Sequence, residues 1–207
     1  MVFLEEVAIL DFETTGLSVG LDRPTEIAVV IVRSGKVVDK FQSLMNPERL
    51  IPKDVQSLTG ITNQMVFQAP SVRTVMNEAY EFVANRPVLA HNASFDQRFW
   101  RSELEQLGKW SDHSFVCTML LARRIYPELN NHRLSTLTSH LRLPDNGRAH
   151  RAMSDVLSTA HLFFRIQKDI SLSYGFVQIS HDLLKQVQSK SKSEVPSYLR
   201  HLSRLRK

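Results

Sequence analysis

The sequence predicts an α/β fold in which a mixed five-stranded sheet is flanked by helices, and three observations carry that expectation. Three strand patterns stand together at the start of the chain, two shorter strands then alternate with helical patterns, and the first strand is apolar on both faces. Strands of that last kind lie in sheets covered by helices on either side. A length of 207 residues suits one compact domain with some chain to spare.

The elements follow in order. Val7-Ala8-Ile9-Leu10 is a continuous apolar run that ends at Asp11. Ile27 to Val32 reads as a second strand, Ser34-Gly35 supplies a turn, and Lys36 to Leu44 returns as a third strand in a hairpin. Asn46-Pro47, Pro52 and Gly60 mark a loop with at most a short helix near Asp54 to Leu58. Ser71 is an N-cap candidate for a helix with the apolar face Val72, Val75, Ala79, Phe82 and Val83, which Pro87 ends. Val88-Leu89-Ala90 is a brief fourth strand, followed by a helix that starts at Ser94, a natural N-cap, and stops before Gly108. Trp100 and Trp110 flank the end of that helix and are expected to pack. Phe115 to Cys117 is the fifth strand, and helical patterns recur at Met119 to Ile125, Leu134 to Leu141 and Arg151 to Asp169.

Beyond Tyr174-Gly175 the composition shifts toward Ser, Gln and Lys, which divides the chain into a domain over 1–175 and a basic tail over 176–207. Ile179, Leu183, Leu184 and Val187 outline one amphipathic helix in the tail, and Val195, Tyr198, Leu199, Leu202 and Leu205 another, begun by Pro196. From Leu183 to Lys207 seven Lys or Arg face one acid, a charge of +6, while the whole chain carries +5. The remainder therefore sums to −1, and an acidic partner is expected first at the tail. The tail reads either as a phosphate-binding arm or as a helix that docks on a polymerase or another protein.

Composition excludes other classes. With 43% apolar and 23% charged residues, 7 Gly and 8 Pro, the chain is neither collagenous nor low-complexity. Its longest apolar run, Ile27 to Val32, is six residues against the ~18 that a membrane span needs, so no membrane association is expected. Glu5 and Glu6 stand where a secretory signal would carry basic residues, and the single Cys117 allows no internal disulfide, so a cytoplasmic setting is expected. No histidine pairs with it at zinc-site spacing.

Three segments carry candidate chemistry. In Asp11-Phe12-Glu13-Thr14-Thr15-Gly16 the strand alternation puts Asp11 and Glu13 on one face at the strand's carboxyl end. Two acids there repel unless a cation lies between them, and Mg²⁺ or Mn²⁺ suits such oxygen ligands, although acid pairs at strand ends are also common without an ion. His91-Asn92-Ala93-Ser94-Phe95-Asp96 leads into a helix start, where Asp96 alone would simply suit the helix dipole. His150-Arg151-Ala152-Met153-Ser154-Asp155 opens the last long helix, where Asp155 alone would suit a cap. Glu26 falls near Asp11 in the sheet, with no role that the sequence assigns.

Taken together and in this order, these segments resemble the DnaQ-like 3′-to-5′ exonucleases, in the subclass with a histidine separated by four residues from the last acid and including polymerase III epsilon-type proofreading exonucleases. The resemblance covers about Val7 to Arg165. It implies an RNase H-like fold and hydrolysis of single-stranded or frayed DNA or RNA ends to nucleoside 5′-monophosphates with two divalent cations, Mg²⁺ or Mn²⁺. It implies that Asp11 bridges both ions, that Glu13 and Asp155 hold the one carrying the attacking water, and that Asp96 supports the second. His150 is implied as the base, a role open to an imidazole because its ordinary pKa of ~6.5 leaves it largely neutral. The same resemblance places Thr15, Gly16 and Leu17 against the terminal nucleotide, Thr59 and Ile61 of Leu58-Thr59-Gly60-Ile61 beside it, and Asn92 and Phe95 near the scissile phosphate. Its partners are nucleic-acid 3′ ends. A proofreading subunit held on a polymerase, or a non-catalytic nucleic-acid-binding module on the same fold, are the alternatives.

Overall fold

A computed structural model describes residues 6–205. Strands β1 (Val7–Thr14), β2 (Pro24–Arg33), β3 (Lys36–Leu44), β4 (Val88–Ala90) and β5 (Phe115–Cys117) form one sheet in the order β3-β2-β1-β4-β5. The β1-β2-β3 meander is antiparallel, whereas β4 and β5 run parallel to β1, as the mixed sheet requires. The helices are α1 (Lys53–Thr59), α2 (Asn63–Phe67), α3 (Val72–Val83), α4 (Ser94–Gln106), α5 (Thr118–Ile125), α6 (Leu134–His140), α7 (Ala152–Tyr174), α8 (His181–Ser189) and α9 (Val195–Leu205). None is long and apolar enough to cross a membrane.

Side-chain alternation builds two cores from one strand. Ala8, Leu10 and Phe12 of β1 pack with α3 and α4, while Val7 and Ile9 point to the opposite layer of α5, α6 and α7. Asp11 and Glu13 continue the Val7-Ile9 row, so both carboxylates face the α7 side. Beyond Gly175, which closes α7 at φ 72°, the chain stays on the same layer: Leu183, Leu184, Val187, Val195 and Leu199 are buried in the α7 core. The outer edge of β5 is covered by Gln188, whose amide accepts from the Cys117 N–H at 2.8 Å and donates to the Phe115 carbonyl at 3.5 Å. A side chain here fills the place of a neighbouring strand.

The structure differs from the sequence reading in detail. Ser94 is the first residue of α4 rather than its N-cap, because the chain turns through Asn92 at φ 67° and the Asn92 carbonyl accepts from the Phe95 N–H. Helix α2 was hidden between Gly60 and Pro70; Thr62 caps it by accepting from the Met65 N–H. Trp100 is buried as expected, but Trp110 lies beyond the end of α4 and is 81% exposed. Cys117 is buried and its sulfur also accepts from the Leu120 N–H at the start of α5.

Candidate active site

The central strand projects past its parallel neighbour. Because β4 ends at Ala90, the Phe12 N–H has no strand partner on that side and donates to the Asp96 carboxylate at 3.1 Å. This bond fixes the first turn of α4 against the end of β1, and Asp96 is only 2% exposed. Asp155 arrives from the first turns of α7 and accepts from the His150 backbone N–H at 3.1 Å. Donor atoms of Glu13, His150 and Asp155 all lie within 4.8 Å of one another. Three segments distant in sequence thus bring Asp11, Glu13, Asp96, His150 and Asp155 to one end of a cleft of about 1280 Å³.

The electrostatics match that crowding. Burial, then the charges of Asp96, Glu13, Asp155 and Glu26, holds the Asp11 carboxyl well above the usual carboxylate range. Burial first and the neighbouring acids second push Glu13 to about 8, and burial takes Asp96 to about 8 against the bond from Phe12. Asp155 is raised by burial and held back by the His150 N–H. Burial and mutual repulsion thus disfavour the ionised forms until a cation shares the site. A purely oxygen set with one imidazole is the donor chemistry of hard divalent cations, so the residues fit Mg²⁺ or Mn²⁺.

Glu26 is a neighbour of the acid cluster that the sequence left unassigned. It lies directly across from Glu13 on β2 and is fully buried. Burial alone would raise its pKa, but bonds from Arg151, Gln42 and the Ala152 N–H hold it below the ordinary value. A glutamate one residue before an apolar strand was visible; its partner 125 positions away was not.

The loop ahead of α7 crosses the cleft. Arg148 donates to the Ser57 carbonyl at 3.2 Å and occupies the space that a side chain at Gly60 would fill. His150 follows at φ 58°, in the left-handed region, with its side chain exposed. The opposite wall is braced by His91, whose Nε2 lies 3.0 Å from the His132 carbonyl and whose Nδ1 lies 2.9 Å from the Thr118 hydroxyl. Since a carbonyl only accepts, Nε2 carries the proton. Burial lowers the His91 pKa to about 4, so the ring is neutral there.

The expected substrate residues divide. Gly16, Leu17, Asn92 and Phe95 line the cleft. Thr15 and Thr59 reach its wall, but their hydroxyls are engaged elsewhere, Thr15 with Asp22 and the Arg23 N–H, Thr59 with the Val55 carbonyl and the Ile61 N–H. Ile61 is not brought to the cleft: it is fully buried beside Ile51 and Val66, and Leu58 and Val55 line the wall instead. The Gly60 turn directs Ile61 inward, which no local pattern in the sequence reveals.

An acid cluster with one imidazole at the carboxyl end of a central strand, opening on a cleft, has the donor set of a divalent-cation site. The model of the RNase_T exonuclease family matches residues 8–163, and the chain belongs to that family, with the DnaQ-like fold. It is similar to the DNA polymerase III subunit epsilon of Aquifex aeolicus, 33% identical over 168 residues that cover 81% of this chain and 83% of that one. It is also similar to the PolC-type DNA polymerase III of Oceanobacillus iheyensis, 36% identical over 176 residues, where the match covers 82% of this chain but only 12% of the polymerase. Among solved structures it resembles exonuclease X in complex with 5′ overhanging duplex DNA, with a TM-score of 0.70, 29% identity and coverage of 88% of this chain and 99% of that one.

Proposed function

We propose that this exonuclease is metal-dependent and removes nucleotides in the 3′-to-5′ direction from single-stranded or frayed DNA or RNA ends, releasing nucleoside 5′-monophosphates. The observation that carries the reading is the convergence of Asp11, Glu13, Asp96 and Asp155 with His150 at one end of an open cleft. In this reading the four carboxylates hold two divalent cations, Mg²⁺ or Mn²⁺. Bound there, such ions would supply charge neutralisation and an activated water. His150 accepts the proton of the attacking water, and its exposure gives that proton a route to solvent. Leu17, Leu58 and Phe95 offer apolar surface to the terminal base and sugar, and Asn92 a polar group near the chain.

A proofreading role beside a polymerase is the second reading, favoured by the near full-length match to a polymerase III epsilon subunit. Both readings place the protein with nucleic acid in the cytoplasm. The test is incubation with end-labelled DNA and RNA oligomers in Mg²⁺ or Mn²⁺. A 5′-labelled strand should shorten stepwise while a 3′ label leaves at once as a mononucleotide. Stepwise shortening from the 5′ end, or full activity in excess EDTA, would overturn the reading.

A further inference from the structure

We propose that a strip of cations running from the cleft wall over α5 to the end of α8 binds the sugar-phosphate backbone of a single nucleic-acid strand as it enters the cleft. The inference rests on the functional reading above for the direction of the strand, and on its own geometry for the strip. Arg133, the residue before α6, lines the cleft beside His132. Met119 also lines the cleft, and one turn later the exposed Arg123 donates to the Met119 sulfur at 3.8 Å. The next residue, Arg124, donates to the Lys190 carbonyl at 2.9 Å. Lys190 closes α8 with its ammonium 4.2 Å from the centre of the Tyr198 ring. Arg133 and the Arg123–Met119 pair thus stand at the cleft, and Arg124 joins α5 to the end of α8 where Lys190 lies.

The charge of this strip is not neutralised internally. Among the described residues the ion pairs engage Arg23, Arg33, Arg86, Lys109, Arg151 and Arg165, and none of the four strip cations. The acid that senses Lys190 is Glu194, which is fully exposed and bonded to Ser191. Like charges on one surface repel one another and favour a bound polyanion. The strip is also held rigidly, because Gln188 fastens α8 to the edge of β5. Lys190 lies outside residues 8–163, so this end of the strip is an addition of this chain to the matched family region.

The test is binding of fluorescein-labelled dT20 and rU20, read by anisotropy in EDTA over a range of salt. Each phosphate contact on a single strand contributes ~0.7 to the slope of log affinity against log salt. The double variant Arg123→Gln, Lys190→Gln should therefore flatten the slope by about 1.4 and weaken binding several-fold at low salt. A control, Lys36→Gln with Lys40→Gln on the far edge strand, removes the same charge and should leave the slope unchanged. Thermal unfolding checks that both variants are folded. An unchanged slope in the strip variant, equal flattening in the control, or failure of the unaltered protein to bind either oligomer overturns the inference. An unaltered protein that binds dT20 through the strip yet hydrolyses no oligomer in Mg²⁺ or Mn²⁺ would sink the nuclease reading alone.

Discussion

The buried carboxylate of Glu26 accepts two bonds from the guanidinium of Arg151, at 2.9 and 3.2 Å, and a third from the Ala152 backbone N–H at 3.0 Å. One side chain on β2 therefore holds the N-terminus of α7, and with it His150 and Asp155, against Glu13. It does so with an ionised group placed at the positive end of a helix, which favours the charge. Arg151 in turn lowers the Glu13 pKa against the other influences on it.

Glu26→Gln should keep the shape and lose the charge. Hydrogen bonds to charged groups contribute ~1.5–3 kcal/mol, so stability should fall by about that amount. Partners that orient metal-binding groups typically matter ~10–100-fold, and kcat and Mn²⁺ affinity should fall in that range with little change in KM. A variant with lowered stability but unaltered kcat and Mn²⁺ affinity would make Glu26 a structural residue only.

His150 occupies a backbone conformation that costs a non-glycine residue roughly 1–2 kcal/mol. His150→Ala keeps that strain and removes the imidazole, so the rate should drop by the ~10²–10⁴ of a general base with substrate affinity little changed. His150→Gly should be equally inactive yet about 1 kcal/mol more stable than the alanine variant. Equal stability of the two variants in urea unfolding would show that the loop relaxes at this position.

The fold was legible in the sequence because its signals are local. The Val7 to Leu10 run, the Ser34-Gly35 turn and the Ser71 cap each specify their element from neighbouring residues, and the structure has all three. The convergence of acids was legible only through the family resemblance that the three motifs carry, since each motif alone suits a helix cap or a solvated acid pair. What could not be read depends on distant partners: Glu26 with Arg151, Arg148 with Ser57, and the inward turn of Ile61 after Gly60. The hydroxyls of Thr15 and Thr59 belong to the same class, since each is taken by a loop contact that composition does not encode.

The raised carboxyl groups make a pH prediction with a definite sign. Glu13 and Asp96 titrate near 8 in the folded protein against ~4 when unfolded, so the metal-free fold binds protons that the unfolded chain has released. Their contribution is most favourable below pH ~4 and is lost as pH rises to about 8. Glu26, with its lowered pKa, works in the opposite sense and loses its contribution as pH falls. Added Mg²⁺ or Mn²⁺ should raise Tm, and by more at pH 8 than at pH 6, because binding requires the deprotonated acids. Asp11→Asn should raise the metal-free Tm at pH 8 and abolish the metal increment. A Tm indifferent to both ions at pH 8 would refute the metal assignment.

The chain beyond Gly175 makes the last prediction. Phe176, Ile179, Leu183, Leu184, Val187, Val195 and Leu199 are each 3% exposed or less and pack in the α7 layer. Burial of such a side chain contributes ~1.5–3 kcal/mol, and a domain's net stability is only ~5–15 kcal/mol. A truncation after Gly175 removes all seven and should leave an unfolded or aggregated product. A truncation after Lys190 removes only α9, with Val195 and Leu199, and should remain folded with Tm lowered by roughly 10 °C. Deleting the basic segment is therefore the wrong way to ask what its charges do, since the loss of fold would be read as loss of nucleic-acid binding. A 1–175 fragment that unfolds at the same temperature as the full chain would show that α8 and α9 add nothing to the core and act through their surface alone.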